Sequence, residues 1–478
     1  VIGSEAVSEK KLQNLESKEF DFTDFTPTSQ FFFFDKFIWE VNKDKIERID
    51  KGYSRYVMED DILNEIIFRQ TRTTLNTSKL NIEEPFFNIK KDENNNWKLD
   101  IVRNDCDFMN YFINTCRVHW KEELRDLKPS EYDNYLDENK FIINKETLSE
   151  DQIYEQELHF INKVYSFGYM LHRYKDPAKA WCLYIMDNEV VDDNESHGRT
   201  GKSIFSSHAL RLFMNSKYLG ARKKGLLESD FLYDGITEQT DYVLFDDADK
   251  RFQFQQLFTD ITGDLNVNPK NQNAYLIPFY LSPKFCISTN YAPYGLDSST
   301  RGRILFMSFG NWYHGEIEGF TERNPMHDFN NRFFTDWDEK QWNLFLNFAM
   351  QCLQFYLSTN EKIGAPEGNI RKRNLLAEIG VVFFEWAEDY FKEENINQAV
   401  CRRVMYENLK NYNNSMKQIS ATSFKNKLKQ FCELKGYIFN PKDQLTDKAG
   451  QRIMKWTDSK TEEHFFIQVP EESTEETN

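Results

Sequence analysis

The sequence predicts an α/β fold: a parallel sheet covered on both faces by helices. Three observations carry that prediction. Four short apolar runs, at residues 180–186, 242–245, 284–288 and 304–309, each have the length of one buried strand. Stretches with helical spacing alternate with them, at 149–165, 204–213 and 252–261. The second and third runs end in polar residues, Asp246-Asp247 and Thr289-Asn290, where a strand leaving a sheet presents chemistry.

Taken in order, residues 1–145 form an accessory region. Residues 31–41 have strand-like composition, 59–68 have helical spacing, and 83–100 read as a hairpin around the turn Asp92-Glu93-Asn94-Asn95-Asn96. No catalytic pattern and no metal-ligand cluster stands out there. Ser149 with Gln152 fits a capping box, and Ile153, Tyr154, Leu158, Ile161, Val164 and Tyr165 continue a long helix. The helix expected at 204–213 would point its N-terminus at whatever the preceding loop holds, and a helix N-terminus favours anions. The helix at 252–261 has apolar residues at 254, 257, 258 and 261.

Composition narrows the function classes. The chain has 478 residues, 40% of them hydrophobic, with 42 Phe, enough for several domains with real cores. No run approaches the roughly 18–20 apolar residues of a membrane span, and no signal-peptide pattern opens the chain. Seven scattered cysteines without a C-x-x-C pair argue against a disulfide framework or zinc knuckle, and predict buried free thiols in a reducing cytoplasm. A net charge of −17 counts against wholesale electrostatic binding of nucleic acid. The charge is uneven, however: residues 371–465 carry 17 Lys and Arg against 13 Asp and Glu, followed by an acidic tail at 471–478.

The segment His197-Gly198-Arg199-Thr200-Gly201-Lys202-Ser203 reads as a phosphate-binding loop. Glycines let backbone N–H groups crowd round phosphates, a Lys supplies a point charge, and a Ser hydroxyl ligates Mg²⁺. The pattern is incomplete, because Ser196 stands where the first Gly belongs. A bare G-K-S is common, so its partners decide. Asp246-Asp247 follows 44 residues after Lys202, at a strand end. One carboxylate can serve the metal while its neighbour orients or deprotonates a water. Asn290 comes a further 44 residues on, where an amide can bond a γ-phosphate without adding charge. Arg301 and Arg303 precede the fourth run, and a guanidinium there is a candidate arginine finger.

Together, Gly201-Lys202-Ser203, Phe245-Asp246-Asp247-Ala248, Ser288-Thr289-Asn290 and Arg303 resemble the superfamily 3 helicases, AAA+-type replicative motors of small viruses, phages and plasmids. The resemblance covers roughly residues 146–365. It is closest to phage and mobile-element helicases of primase-helicase type, similar to the poxvirus group. It implies an AAA+-like P-loop core that binds ATP and Mg²⁺. Gly198, Arg199, Thr200, Gly201, Lys202 and Ser203 would hold the nucleotide, Ser203 and Asp246 the metal, and Arg303 would act in trans. Arg199 departs from the Asn or Gly of many relatives.

The stretch 261–271 is similar to the family's DNA-contacting hairpin, which places Lys270 at the tip with Asn271 beside it. A tip lysine grips phosphate and reads no base. Residues 371–470 predict three helices (376–391, 399–412, 420–434) and then strands at 437–440, 452–457 and 465–469. That order resembles a winged-helix domain, with Lys425 and Lys429 as candidate DNA contacts on the third helix. The resemblance therefore implies single-stranded and forked DNA as partners, a homo-oligomeric ring that family precedent makes hexameric, and a primase or polymerase as associate. Two other readings fit parts of the pattern: a P-loop kinase of small molecules, and an origin-binding scaffold with a decayed ATPase.

Overall fold

The computed structural model describes residues 20–188, 199–250, 252–291, 293, 297–315, 322–366, 379–392, 395–447, 449–457 and 460–470. Gly198 and the tail at 471–478 lie outside these.

Five parallel strands form the central sheet: β1 (Cys182–Asp187), β2 (Ser216–Gly220), β3 (Tyr242–Ala248), β4 (Lys284–Thr289) and β5 (Ile304–Phe309), in the order β5-β1-β4-β3-β2. Alternation sends successive side chains to opposite faces. Leu183, Ile185, Leu244, Cys286, Leu305 and Met307 join one core; Cys182, Tyr184, Val243, Phe245, Phe285, Ile287 and Phe306 join the other. Four of the strands match the predicted runs. The edge strand β2 has no apolar run to announce it; it pairs with β3 through its backbone.

Three helices cover the first face: α1 (Asp107–Cys116), α2 (Glu150–Leu171) and α3 (Glu339–Ser358). The predicted capping box opens α2, with both Ser149–Gln152 bonds present. Its other end is closed from β4: the buried Lys284 Nζ donates to the carbonyls of Tyr169 and His172. These bonds satisfy carbonyls that the end of a helix leaves without intrahelical partners, and burial beside Lys175 and Lys179 holds the Lys284 pKa well below the usual lysine range. Helices α2 and α3 touch closely at Gly168, where an added Cβ would lie 2.2 Å from the Cys352 carbonyl oxygen. We expect Gly168→Ala to force the helices apart and cost about 1–3 kcal/mol, read by chemical denaturation.

The first core does not divide at residue 145. It unites Phe32, Trp39 and Leu63 of the N-terminal region with α1–α3 and one face of the sheet. The N-terminal region contributes a four-stranded antiparallel sheet (residues 25–26, 29–33, 38–42 and 46–49) and the predicted hairpin, Phe87–Lys91 with Trp97–Ile101. The junction with the central sheet is ionic. Arg173, just after α2, meets Asp24 at 2.5 Å, Asp241 at 3.2 Å and Asp61 at 3.8 Å.

Two expected helices changed form. The segment after Gly201-Lys202-Ser203 is a π turn, Ile204–Ala209, followed by a 3₁₀ turn, Leu210–Leu212. Side chains take up carbonyls in and beside the widened turn: His208 Nδ1 pairs with the Ser203 carbonyl at 2.9 Å and the Tyr242 hydroxyl donates to that of Ser206 at 2.9 Å. The helix at 252–261 is a 3₁₀ turn, Phe254–Leu257, leading into Phe258–Thr262.

Residues 379–470 have their own core, around Phe383, Trp386, Phe424, Leu428, Phe431 and Phe465. Helices α4 (Val381–Tyr390), α5 (Arg402–Tyr412) and α6 (Ala421–Lys435) pack with a hairpin, Ile453–Thr457 and Lys460–Gln468. The start of the expected second helix is instead a strand, Ala399–Cys401, paired to the hairpin. Ser420 caps α6 by accepting from the Ser423 N–H at 3.1 Å.

Candidate functional site

Because all five strands run the same way, their C-terminal ends share one edge of the sheet. That edge carries a cleft of about 540 Å³, lined by Arg199, Gly201, Lys202, Ser203, Asp246, Asp247, Ser288 and Asn290, with Arg222, His314 and Pro325 at its wall. The loop, carboxylate and amide segments predicted from sequence thus meet in one place.

The loop holds an unusual backbone. Gly201 has φ +104° and Arg199 has φ +77°. Glycine is required at 201 twice over, because a Cβ there would lie 2.8 Å from the Tyr111 hydroxyl. That hydroxyl donates to the Gly201 carbonyl at 2.7 Å, and burial pushes its pKa well up, so it stays a donor. Tyr111 belongs to α1. Sequence reasoning missed it, since nothing links an internal aromatic to a loop 90 residues on. Lys202, 8% exposed, donates to Asp187 Oδ1 at 2.5 Å and to Asn290 Oδ1 at 2.9 Å. Thr200 donates to the same Asp187 oxygen at 2.5 Å. Asp187, the last residue of β1, is a second site residue missed in the sequence.

Consecutive residues of a regular strand face opposite ways, so Asp246 and Asp247 would not both line a cleft. Here the β3–β4 register slips by one residue between the Ile287 and Thr289 pairings, and Asp247 adopts φ +59°. The slip turns both carboxylates into the cleft, the re-aiming a bulge performs. Asp246 accepts from the Ser288 hydroxyl at 2.6 Å and from the Tyr218 hydroxyl at 2.9 Å. The bond to Asp246 raises the Tyr218 pKa and keeps the phenol protonated. Asp247 pairs with Arg222 at 2.6 Å. His314, at the wall, bonds Glu322 and holds that carboxyl below the usual carboxylate range.

The donors facing the cleft are hydroxyl and carboxylate oxygens, the set that suits Mg²⁺. Among the described residues no group of three or more His, Cys, Asp or Glu is arranged to hold a metal of its own. Ser203 and Asp246 both line this cleft, and Mg²⁺ bound with phosphates takes one or two protein carboxylates and completes its shell with water and phosphate.

Arg303 is not at this cleft. It ends the short helix Ser298–Arg303 and directly precedes β5, so it sits at the opposite edge of the sheet. The length of β5, six residues at about 3.3 Å each, separates the two edges by roughly 20 Å. Its guanidinium bonds the Ser299 hydroxyl at 2.8 Å and lies 4.6 Å from the Phe258 ring centre. Arg301 is exposed beside it.

Lys270 and Asn271 occupy the turn between the hairpin strands Leu265–Val267 and Tyr275–Ile277. Lys270 is exposed at that tip, its ammonium 5.9 Å from the Phe231 ring centre. On α6 the two candidate lysines part company. Lys429 is exposed, whereas Lys425 is half-buried in an ion pair with Glu463 of the hairpin at 3.0 Å. The solvent face of α6 is Thr422, Asn426, Lys429 and Glu433. All seven cysteines are buried and free, as expected. Among the described residues no helix is long and apolar enough to cross a membrane.

The chain matches no protein-family profile and no curated protein. Among solved structures it is similar to the apo C-terminal region of NrS-1, at 13% identity over 92% of this chain and 96% of that one, with a TM-score of 0.34. It is also similar to JCV helicase, at 11% identity over 68% and 64% of the two chains, with a TM-score of 0.23. TM-scores this low carry no weight for function.

Proposed function

We propose that this chain is an ATP-driven DNA-unwinding motor of superfamily 3, AAA+ type, that works as a ring on single-stranded DNA. One observation carries the reading. Lys202, both aspartates and Asn290 converge on one cleft, while Arg303 lies at the other edge of the sheet, out of reach of that cleft. A guanidinium so placed serves the nucleotide of a neighbouring subunit or none.

In this reading ATP lies with its phosphates against Gly201, Lys202 and Ser203. Bound Mg²⁺ would neutralise phosphate charge, held by Ser203 and Asp246. Asp247 orients and deprotonates the attacking water, and Asn290 bonds the γ-phosphate. Lys270 grips a phosphate of the strand in the ring's channel. The 379–470 unit, read as a winged helix, adds a DNA contact through Lys429, with Lys425 bracing the hairpin.

The test is subunit mixing. Lys202→Ala and Arg303→Ala chains, each inactive alone, should regain DNA-stimulated ATP hydrolysis when combined, since some interfaces then pair an intact loop with an intact arginine. Hydrolysis by an isolated monomer, indifferent to DNA and to Arg303, would favour the small-molecule kinase instead. Lys270→Ala should keep hydrolysis and lose strand displacement, measured on a forked substrate.

A further inference from the structure

The geometry points to Asp187 as an internal competitor of the phosphates: a buried carboxylate that latches Lys202 and Thr200, and whose bond Lys202 must give up for a phosphate to take its place. The inference rests on the nucleotide reading of the cleft. An ammonium has three donors. Those of Lys202 have three acceptors here: Asp187 Oδ1 at 2.5 Å, Asn290 Oδ1 at 2.9 Å and Thr200 Oγ1 at 3.3 Å. A phosphate oxygen must therefore replace one of them. Asn290 and Thr200 are neutral, so Asp187 is the one competitor of like charge to a phosphate among the three.

Asp187 is also poorly placed to withdraw. It is the last residue of β1, 5% exposed, paired in register with Phe309, and the next N–H, that of Asn188, donates to the Phe309 carbonyl at 2.7 Å. When Lys202 turns to a phosphate, the carboxylate remains beside it in a poorly solvated place, where like charges repel strongly. The latch thus does two things. It keeps the buried lysine paired, and it weakens nucleotide binding. A carboxylate here sets an affinity that nucleotide exchange can work against, acting through Lys202 as a positioning residue.

The experiment is a fluorescence titration of the full chain with mant-ADP and Mg²⁺, comparing wild type with Asp187→Asn and Asp187→Ala. Asn keeps an acceptor of the same size and removes the charge. Both variants should bind more tightly, Asp187→Asn by at least about tenfold, and inorganic pyrophosphate as competitor should give the same ranking. A residue that merely supports the loop would move the dissociation constant the other way. Unchanged or weaker binding in both variants, with wild type binding normally, overturns the latch and leaves the nucleotide reading standing. Absence of binding by wild type and variants alike overturns both.

Discussion

Lys202→Ala should abolish ATP hydrolysis, with kcat/KM falling roughly 10²–10³-fold or more, as when a single preorganised donor to developing charge is removed. The effect should be larger than removal of an exposed lysine, because Lys202 is buried and bonds Asn290 as well as Asp187. Melting temperature should fall too, since Asp187 loses its ion partner inside the protein. The double variant Asp187→Asn/Lys202→Ala separates the two effects. It should recover stability without recovering hydrolysis, as read by thermal melts beside a phosphate-release assay. Recovery of hydrolysis in the double variant would remove Lys202 from the chemistry.

Arg173→Ala should be the most damaging single change to stability, at about 3–5 kcal/mol. It would leave Asp24, Asp61 and Asp241 facing one another without a cation, at the seam between the N-terminal sheet and the central one. The size of the loss is a large part of a domain's usual 5–15 kcal/mol. Its pH dependence identifies the cause. Burial raises Asp24 to about 6 and Asp241 to about 7, partly offset by Arg173. Folded values above the unfolded ones mean that the native state binds protons the unfolded chain has released. The stability these groups contribute is fully present below about pH 4 and is lost as pH rises through 6 and 7. Without the guanidinium the shifts grow, so Arg173→Ala should melt far below wild type at pH 8 and less so at pH 5. A pH-independent difference would place the damage in packing instead.

What the sequence revealed and what it hid follow from how each element is buried. Strands β1, β3, β4 and β5 are apolar on both faces and read as continuous runs. Edge strand β2 alternates half-buried and exposed residues, and was invisible. Helix α1 is the opposite case. From Phe108 to Cys116 every residue is buried, so no polar face gives it a period. The site was legible where motif spacing is chemical, at Lys202, Asp246 and Asn290. Asp187 and Tyr111 were not, because their roles arise from strand register and from a helix packed across the loop. The setting of Lys425 was hidden for a related reason: helical spacing places it with Lys429, but Glu463 arrives from a hairpin 38 residues away.

The Tyr111–Gly201 bond and the shared core make the chain hard to dissect. A fragment cut to the expected motor boundary, starting at residue 146, would lose the hydroxyl that holds the loop at Gly201. It would also bare the side chains of α2, α3 and the sheet that α1 covers. Such a piece would be expected to expose its apolar interior and aggregate. The smallest unit in which ATP hydrolysis can be tested therefore includes the accessory region, and the portion without recognisable motifs serves as half of the frame around the cleft.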